Sequence, residues 1–557
     1  MFINGKWPSY ACLIGLAALG RVGAQDAFKY TGCSDVTSAN FTKVALVNRA
    51  KDASLEEPIR FAVANNGDVY LAERNGPIKV VKAAGTIVKV GTIPVYPTTS
   101  GLKKNVAGNK NNELGLTGLA LDPNFSTNHY IYVDYEPNTP DVMNISRFTL
   151  NGDVLDLASE KVLLSFPMQK DYCCHTGGSM AFDNKGNLFI SVGDNLNIND
   201  NYVNEANPVT DDQSHAANTN DYRGKILRIH PTPEGSYTVP AGNFKDYYAS
   251  MWSAADLAKV KPELYTVGHR NPYTISVDTL KNLLTWGDVG PDEGWATEEL
   301  NSTNKPGFMG WPYFAGAEGN PHYLYRLNKT PATPMNLSPN NTGVKALPAA
   351  IGATIGYNES AAITGPIYRY SSNQTSAKKV PPHFDGKWFV SDFKAGWFHI
   401  VSLDDAGTTV TATNNFLGGL VGPIQVSIGP DGMLYVLEYG TFYNFNSAGG
   451  TDDGAGSNGK TQLSRYEYTG PACAGVTSIQ DQADARANAA AGKMGMLLNL
   501  GIDAKRTVAM PVGARGFQLY DLQGKMIWQH QAAEKTAGAV SVPVALGNGV
   551  YRVKFEY

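Results

Sequence analysis

With 557 residues the chain exceeds what one ordinary hydrophobic core organises, so it holds either a large architecture with an appendage or several domains. Hydrophobic residues make up 43%, charged residues 17%, and the formal net charge is −4. Such a chain can build large cores but has no basic excess to attract phosphate backbones, which excludes nucleic acid as the expected partner.

The first residues, "MFINGKWPSYACLIGLAALGRVGAQ", combine an early lysine, an apolar run from Ala11 to Gly20 and small residues up to Ala24. A short apolar core followed by small residues suits signal peptidase and is too short to span a bilayer, so 1–24 is expected to be a signal peptide cut after Ala24. No later segment is continuously apolar for the roughly 20 residues a membrane helix needs. The mature protein is expected to be soluble and exported, whether to the periplasm, the cell surface or the medium. Four cysteines then remain, Cys33, Cys173, Cys174 and Cys473, an even number in an oxidising compartment with three possible pairings.

Six segments share a Gly or Asn turn followed by a short alternating strand: "NNGDVYLAERNG" from Asn65, "STNHYIYVDY" from Ser126, "NKGNLFISVGDN" from Asn184, "LKNLLTWGDVG" from Leu280, "FDGKWFVSDFKAG" from Phe384 and "PDGMLYVLEYG" from Pro430. Recurrence of one such unit implies radial or stacked repetition, and unequal spacing implies long insertions. The chain is therefore predicted to be all-β, with a six-bladed β-propeller over 25–473. Only "SAADLAKVKPELY" around Ala254 and the Ala-rich stretch after Ser478 look helical, the latter within a linker over 474–504. From 505 to 557, alternating strands joined by Leu-Gln-Gly and Gly-Asn-Gly turns predict a small β-sandwich. With "YDLQGK" and "GNGVYRVKF" this tail resembles the C-terminal sorting domains of bacterial type IX secretion cargo, which would make the secretion machinery a partner; a plain accessory β-domain is the alternative.

A propeller must fasten its first blade to its last. Cys33 and Cys473 flank the predicted ring, so a bond between them would lock closure, worth at most about 6 kcal/mol by chain entropy. That pairing leaves Cys173 with Cys174. Neighbouring Cα atoms lie about 3.8 Å apart across a trans peptide and about 2.9 Å across a cis one, short of the roughly 4.4–6.8 Å of ordinary disulfides, so this bond would be strained and would stiffen the backbone entering His175.

Chemistry concentrates where strands begin or end. "CCHTGGSMAFDNKGNLFISVGDN" gathers His175, two glycines and Asp194-Asn195 around one blade; an imidazole there can take a proton from a substrate hydroxyl, although alone it is equally a structural histidine. In "YTVGHRNPYTISVD", Pro272 disfavours helix at Asn271, so a turn presents Arg270 and Asn271, or Arg270 merely fixes a blade corner. "WGDVGPDEGWATEELN" offers hard oxygen donors to Ca²⁺ through Asp288, Asp292, Glu293, Glu298, Glu299 and the carbonyls of Gly290 and Pro291, with a solvated acidic loop as the alternative.

Together with "ELGLTGLALDPNF" from Glu113, "NTNDYRGKILRIHP", "GWPYF" and the final "GPDGMLYVLEYG", these motifs resemble, from about Phe41 to Tyr468, the soluble glucose and sorbosone dehydrogenase family of six-bladed propellers that use pyrroloquinoline quinone and Ca²⁺. The resemblance implies a secreted sugar or polyol dehydrogenase that passes electrons to a further acceptor. It makes His175 the general base, sets Arg270 and Asn271 facing cofactor and substrate, and makes Gly290 and Pro291 carbonyl ligands of Ca²⁺. Glu113 and Asn195 fall at glutamine positions of the family near the cofactor, and Lys394 at its quinone-contacting lysine. Two arginines that clamp the quinone carboxylates in glucose-oxidising members are replaced by Gly422 and Ile424, a loss of about 1.5–3 kcal/mol per contact. A carbohydrate-binding propeller that has lost its quinone, retained on sugar or polysaccharide, is the alternative this departure keeps open.

Overall fold

The computed structural model describes residues 36–96, 113–171, 175–196, 211–291, 297–316, 331–358, 361–371, 374–440 and 461–471, together with short strands at 322–323 and between 498 and 556. The first 471 residues contain six antiparallel sheets whose first strands touch one another in circular order, giving a six-bladed β-propeller. All six repeated segments supply the second strand of a blade: Val69–Glu73, Tyr130–Tyr135, Leu188–Val192, Leu283–Asp288, Lys387–Asp392 and Leu434–Glu438.

These second strands are buried along almost their whole length rather than on alternate residues. Each is covered on both faces, by the blades before and after it, so the polar members of the alternating pattern must find partners inside. Inner strands meet those demands across blades. Arg60 donates through Nη2 to the carbonyls of Gly177 and Tyr273 at 3.2 and 2.7 Å, Thr274 Oγ1 accepts from Thr364 N, and Gln425 brackets Phe61 with two bonds.

One device recurs at the end of these strands. Glu73, Glu136, Asp288 and Glu438 are buried carboxylates, each accepting a backbone N–H from the segment that leads into its own blade: Glu56 at 2.7 Å, Gly115 at 2.7 Å, Asn271 at 2.7 Å and Val421 at 3.1 Å. Each bond ties the entry of the first strand to the exit of the second, removing a buried orphan donor.

The ring closes through backbone pairing. Phe41–Asn48 forms the outer strand of the sixth blade against Gln462–Tyr468, paired from Phe41 opposite Tyr468 to Asn48 opposite Gln462 with a bulge between Ala45 and Val47. The four cysteines assigned to disulfides, Cys33, Cys173, Cys174 and Cys473, and the leader over 1–24 lie outside the described residues.

The third blade is enlarged. Its order runs Met180–Phe182, Leu188–Val192, Lys225–Pro231 and Leu264–Val267, and Gly307–Phe308 then adds in parallel to the last of these. That crossover carries "GWPYF" from the insertion after the fourth blade's third strand back over the third blade. Near Ala254 the expected helix is a single turn, Ala254–Leu257, with Ser253 Oγ accepting from Asp256 N at 3.2 Å.

In the C-terminal part a four-stranded sheet runs Leu498–Ile502, Gly549–Glu556, Gly516–Tyr520, Met526–Gln531, and Thr507–Met510 pairs with Gly538–Ser541. Leu498–Ile502 corrects the helical reading of the segment up to Gly501. Its Leu-Asn-Leu-Gly-Ile alternation pairs residue for residue with Gly549–Val553, a long-range partner that outweighs the alanine-rich pattern upstream.

Candidate functional site

The loop leading into the third blade is built on positive φ angles. His175 stands at +56°, Gly177 at +71° and Gly178 at +93°. A Cβ on Gly177 would lie 2.7 Å from the Ser191 carbonyl oxygen, and one on Gly193 would lie 2.2 Å from that of His175. The loop therefore lies directly on the exit of the second strand, and only glycine admits so close an approach.

Asp194 occupies, in this blade, the place of the recurring carboxylates. It accepts a side-chain proton instead of the usual backbone one: Asp194 Oδ1 lies 2.7 Å from His175 Nδ1, while Leu196 N donates to the same oxygen at 3.1 Å and Trp311 Nε1 to Oδ2 at 3.0 Å. Burial opposes charge on Asp194, yet the His175 imidazole and the Arg270 guanidinium hold its carboxyl below the usual carboxylate range. An ionised Asp194 places the proton of neutral His175 on Nδ1, so Nε2, which no hydrogen bond from the described residues reaches, carries the lone pair.

Glu113 and Asn271 fix this loop from behind. Glu113 Oε2 accepts from the backbone N–H of His175 at 2.7 Å and from Asn271 Nδ2 at 3.4 Å; Asn271 Oδ1 accepts from Gly177 N at 3.1 Å. Asn195, assigned to the cofactor from the sequence, is fully buried and spent on Gln169, whose N–H it receives at 2.6 Å and whose side chain bonds its carbonyl at 3.0 Å. The structure gives it a loop-holding place with no surface toward a ligand. His269 is likewise internal, set between Asp288 Oδ2 at 2.9 Å and Thr266 Oγ1 at 2.8 Å.

Trp311, which bonds Asp194, also lines a small pocket open to solvent, together with Arg270, Val289, Gly290, Pro291 and Phe314 among others; His175 and Asp194 themselves do not line it. Arg270 donates to the Val289 carbonyl at 3.3 Å and sits 5.9 Å from the Trp311 ring centroid. The neighbouring acids are not a solvated loop. Asp288, Glu298 and Glu299 are buried; Glu298 Oε1 accepts from Gly290 N at 3.2 Å, and Glu299 Oε1 from Gly316 N at 2.7 Å. Burial pushes Glu298 up to about 7, and burial together with the charge of Asp288 pushes Glu299 up to about 8. Asp292 and Glu293 lie outside the described residues.

The remaining predicted positions fall on other blades. Lys394 is exposed in the turn after Lys387–Asp392, its backbone N–H bonded to Asp392 Oδ1 at 2.9 Å, and it does not line the pocket. Gly422 has φ +60°, and a Cβ there would lie 2.5 Å from the Gly440 carbonyl oxygen and 3.1 Å from the Phe393 ring. Ile424 is buried among Val47, Ile59, Phe61 and Leu437. The sequence reading missed two residues beside Asp194: Trp311, and Asp212, buried in the helical turn Asp212–His215 whose His215 Nδ1 meets the Asp194 carbonyl at 2.9 Å. Trp311 was visible within "GWPYF", but its return to another blade has no local signal.

A model of the glucose/sorbosone dehydrogenase family matches residues 55–442. The chain belongs to that family. An uncharacterized protein of Synechocystis is 23% identical to this glucose/sorbosone dehydrogenase family member over 74% of this chain and 89% of the relative. Quinoprotein glucose dehydrogenase B of Acinetobacter calcoaceticus is 25% identical over 56% of this chain and 62% of that protein. A crystal structure described as an oxidoreductase (glucose dehydrogenase) from Thermus thermophilus shares the fold, with TM-score 0.52 and 21% identity over 76% of this chain and 99% of that one.

Proposed function

We propose that the protein is an exported dehydrogenase that oxidises a hydroxyl of a sugar or related polyol, with His175 as general base and pyrroloquinoline quinone with Ca²⁺ as its redox centre. The observation that carries this reading is the His175–Asp194 pair at 2.7 Å, joined through Trp311 to a pocket that holds Arg270. Nε2 is left to accept the hydroxyl proton, and Asp194 holds the tautomer and stabilises the imidazolium that forms.

The donor set around the pocket fits the metal. No hydrogen bond among the described residues ends on the carbonyls of Gly290 or Pro291, both of which line the pocket, and Glu298 braces their loop through Gly290 N. Two carbonyls are fewer than the roughly 6–8 oxygens Ca²⁺ takes, which suits an ion completed by a bound quinone and water. Arg270 on the same wall is placed to meet an anionic group. The carboxylate clamp does not fit, since Gly422 has no room for a side chain and Ile424 faces the core. When bound, the quinone would supply a hydride acceptor that Ca²⁺ polarises. The chain's own part is to orient the hydroxyl, take its proton at His175 Nε2 and, through Trp311 and Phe314, exclude water.

Titrating the purified protein with quinone, with and without Ca²⁺, and following absorbance and dye reduction against a panel of aldoses tests this reading. We expect saturable, Ca²⁺-dependent binding and turnover that His175→Ala abolishes while binding persists. Absence of both binding and turnover, with retention on polysaccharide, would establish the second reading that Gly422 and Ile424 favour, a carbohydrate-binding propeller without the cofactor.

A further inference from the structure

We propose that Asp212 is a positioning residue that keeps the site's resting proton, sharing it with Asp194 and so limiting how firmly Asp194 holds His175 in its protonated form. The inference rests on the reading of His175 as base. Asp212 opens the single helical turn Asp212–His215, 18 residues beyond Asp194 in the chain. That turn lies against Asp194, since His215 Nδ1 meets the Asp194 carbonyl at 2.9 Å, and the two carboxyl groups interact across the contact, with Trp311 Nε1 donating to Asp194 Oδ2 at 3.0 Å. Asp212 is 2% exposed and Asp194 1% exposed. Asp212 Oδ1 receives no hydrogen bond from any donor among the described residues.

Two carboxyl groups in contact, away from water, cannot both be ionised; the contact requires one proton between them. The surroundings decide which acid keeps it. Asp194 has His175 at Nδ1 distance and Arg270 nearby, and stays charged. Burial, then the charge of Asp194, pushes Asp212 well above the usual carboxylate range. The other groups around it are engaged with partners of their own, and burial brings Lys225 down to about 7. Asp211, one residue back, caps the turn by accepting from Gln213 N at 3.1 Å. His215 is kept neutral, since burial and then Arg223 bring it down to about 3, and its Nδ1 meets the Asp194 carbonyl at 2.9 Å. Lys225 is tied to the carbonyls of His215 and Ala216 at 2.9 and 2.8 Å.

With His175 in the uncharged form that a base requires, ionised Asp194 and protonated Asp212 leave the cluster one negative charge, which falls to zero when His175 accepts the substrate proton. A protonated Asp212 spreads the charge of Asp194 over a second hydrogen bond, so the imidazolium is stabilised enough to form and not so much that it fails to release its proton.

The test is the titration of the His175 imidazole, followed by NMR in the full chain without cofactor and assigned by its loss in His175→Gln. Asp212→Ala should make His175 hold its proton to a pH higher by about one unit, whereas Asp212→Asn, whose amide still donates, should move it far less. A downward shift in either variant would mean that Asp212 is ionised, and no shift in Asp212→Ala would mean that it does not act on the dyad; each overturns the proposal. Infrared spectra supply a second readout should Asp212→Ala fail to fold. A protonated-carboxyl component at neutral pH should appear in the parent-minus-Asp212→Asn difference spectrum, over the bands of Glu136 and Glu299 that both proteins share, and a difference spectrum without it refutes the idea. Neither measurement needs quinone or sugar, so the result stands apart from whether the chain proves to be a dehydrogenase.

Discussion

Asp194→Asn tests the geometry at the centre of the site. Besides its contact with Asp212, Asp194 accepts hydrogen bonds from His175, Leu196 N and Trp311 Nε1, at 2.7, 3.1 and 3.0 Å. An amide offers one oxygen and one NH₂ group. With the oxygen toward His175 and Leu196, the Trp311 N–H faces another donor. Flipped, Leu196 N–H is orphaned and His175 must turn to the other tautomer, which moves its lone pair off Nε2. Either way one bond to a charged acceptor, worth about 1.5–3 kcal/mol, is lost and the other two weaken, while relief of a buried charge offsets part of the loss. The net expectation is a destabilisation of about 2–4 kcal/mol, read from urea unfolding with unchanged m-value, and a fall in kcat of roughly 10³–10⁴. The folded-state pKa of Asp194 is lowered, so its contribution is present above the unfolded value and fades as pH falls through the folded one; the stability gap between parent and variant should therefore narrow toward acid. A variant within about 0.5 kcal/mol of the parent and within about tenfold in kcat would refute this account of the dyad.

Gly177→Ala should cost about 3 kcal/mol or more, because φ is +71° and the new Cβ would sit 2.7 Å from Ser191 O, whereas Gly152→Ala, at +63° with nothing within 4 Å, should lose only about 1–2 kcal/mol; thermal melts separate the two. Burial pushes Glu136 up to about 8, so its contribution is full at acid pH and drains away as pH rises from the ordinary glutamate range through 8. Glu136→Gln should accordingly gain roughly 2–4 kcal/mol over the parent between pH 5 and 9, measured by denaturant midpoints. Neither Gly422→Arg nor Ile424→Arg should tighten quinone binding in a titration, since the first strikes the Gly440 carbonyl and the second buries a charge in the core; Ile424→Arg should also cost about 3 kcal/mol or more.

The six turn-and-strand segments were legible because each places turn residues directly before a strand whose side chains must pack, and no other element competes for those stretches. Their burial on both faces was not, since alternation in sequence reports what a strand contains and not how many sheets enclose it. The carboxylate ending these strands is visible in "VYLAE", "LLTWGD" and "LYVLE", but its partner is a backbone N–H that any sequence supplies. That His175, Arg270 and Asn271 lie together was legible because their motifs are compact. Trp311 and Asp212 were not, because their contact with Asp194 depends on a parallel strand returning from the next blade and on the long insertion between Val192 and Lys225. The inward bond of Asn195 to Gln169 was hidden for a similar reason: adjacency to Asp194 in sequence says nothing of the positive φ at which it stands.

The pairing of Phe41 with Tyr468, continued by Thr469 N donating to Asn40 O at 2.8 Å, makes the two ends of the propeller chain neighbours. Polypeptide enters and leaves the ring at one spot on the rim of the sixth blade. Whatever precedes residue 36 and whatever follows residue 471 hang from a common anchor, so proteolysis at either tether would leave every inter-strand bond of the ring intact. A fusion at one end would also crowd the other, while the third and fourth blades, which carry His175 and Arg270, are served by neither.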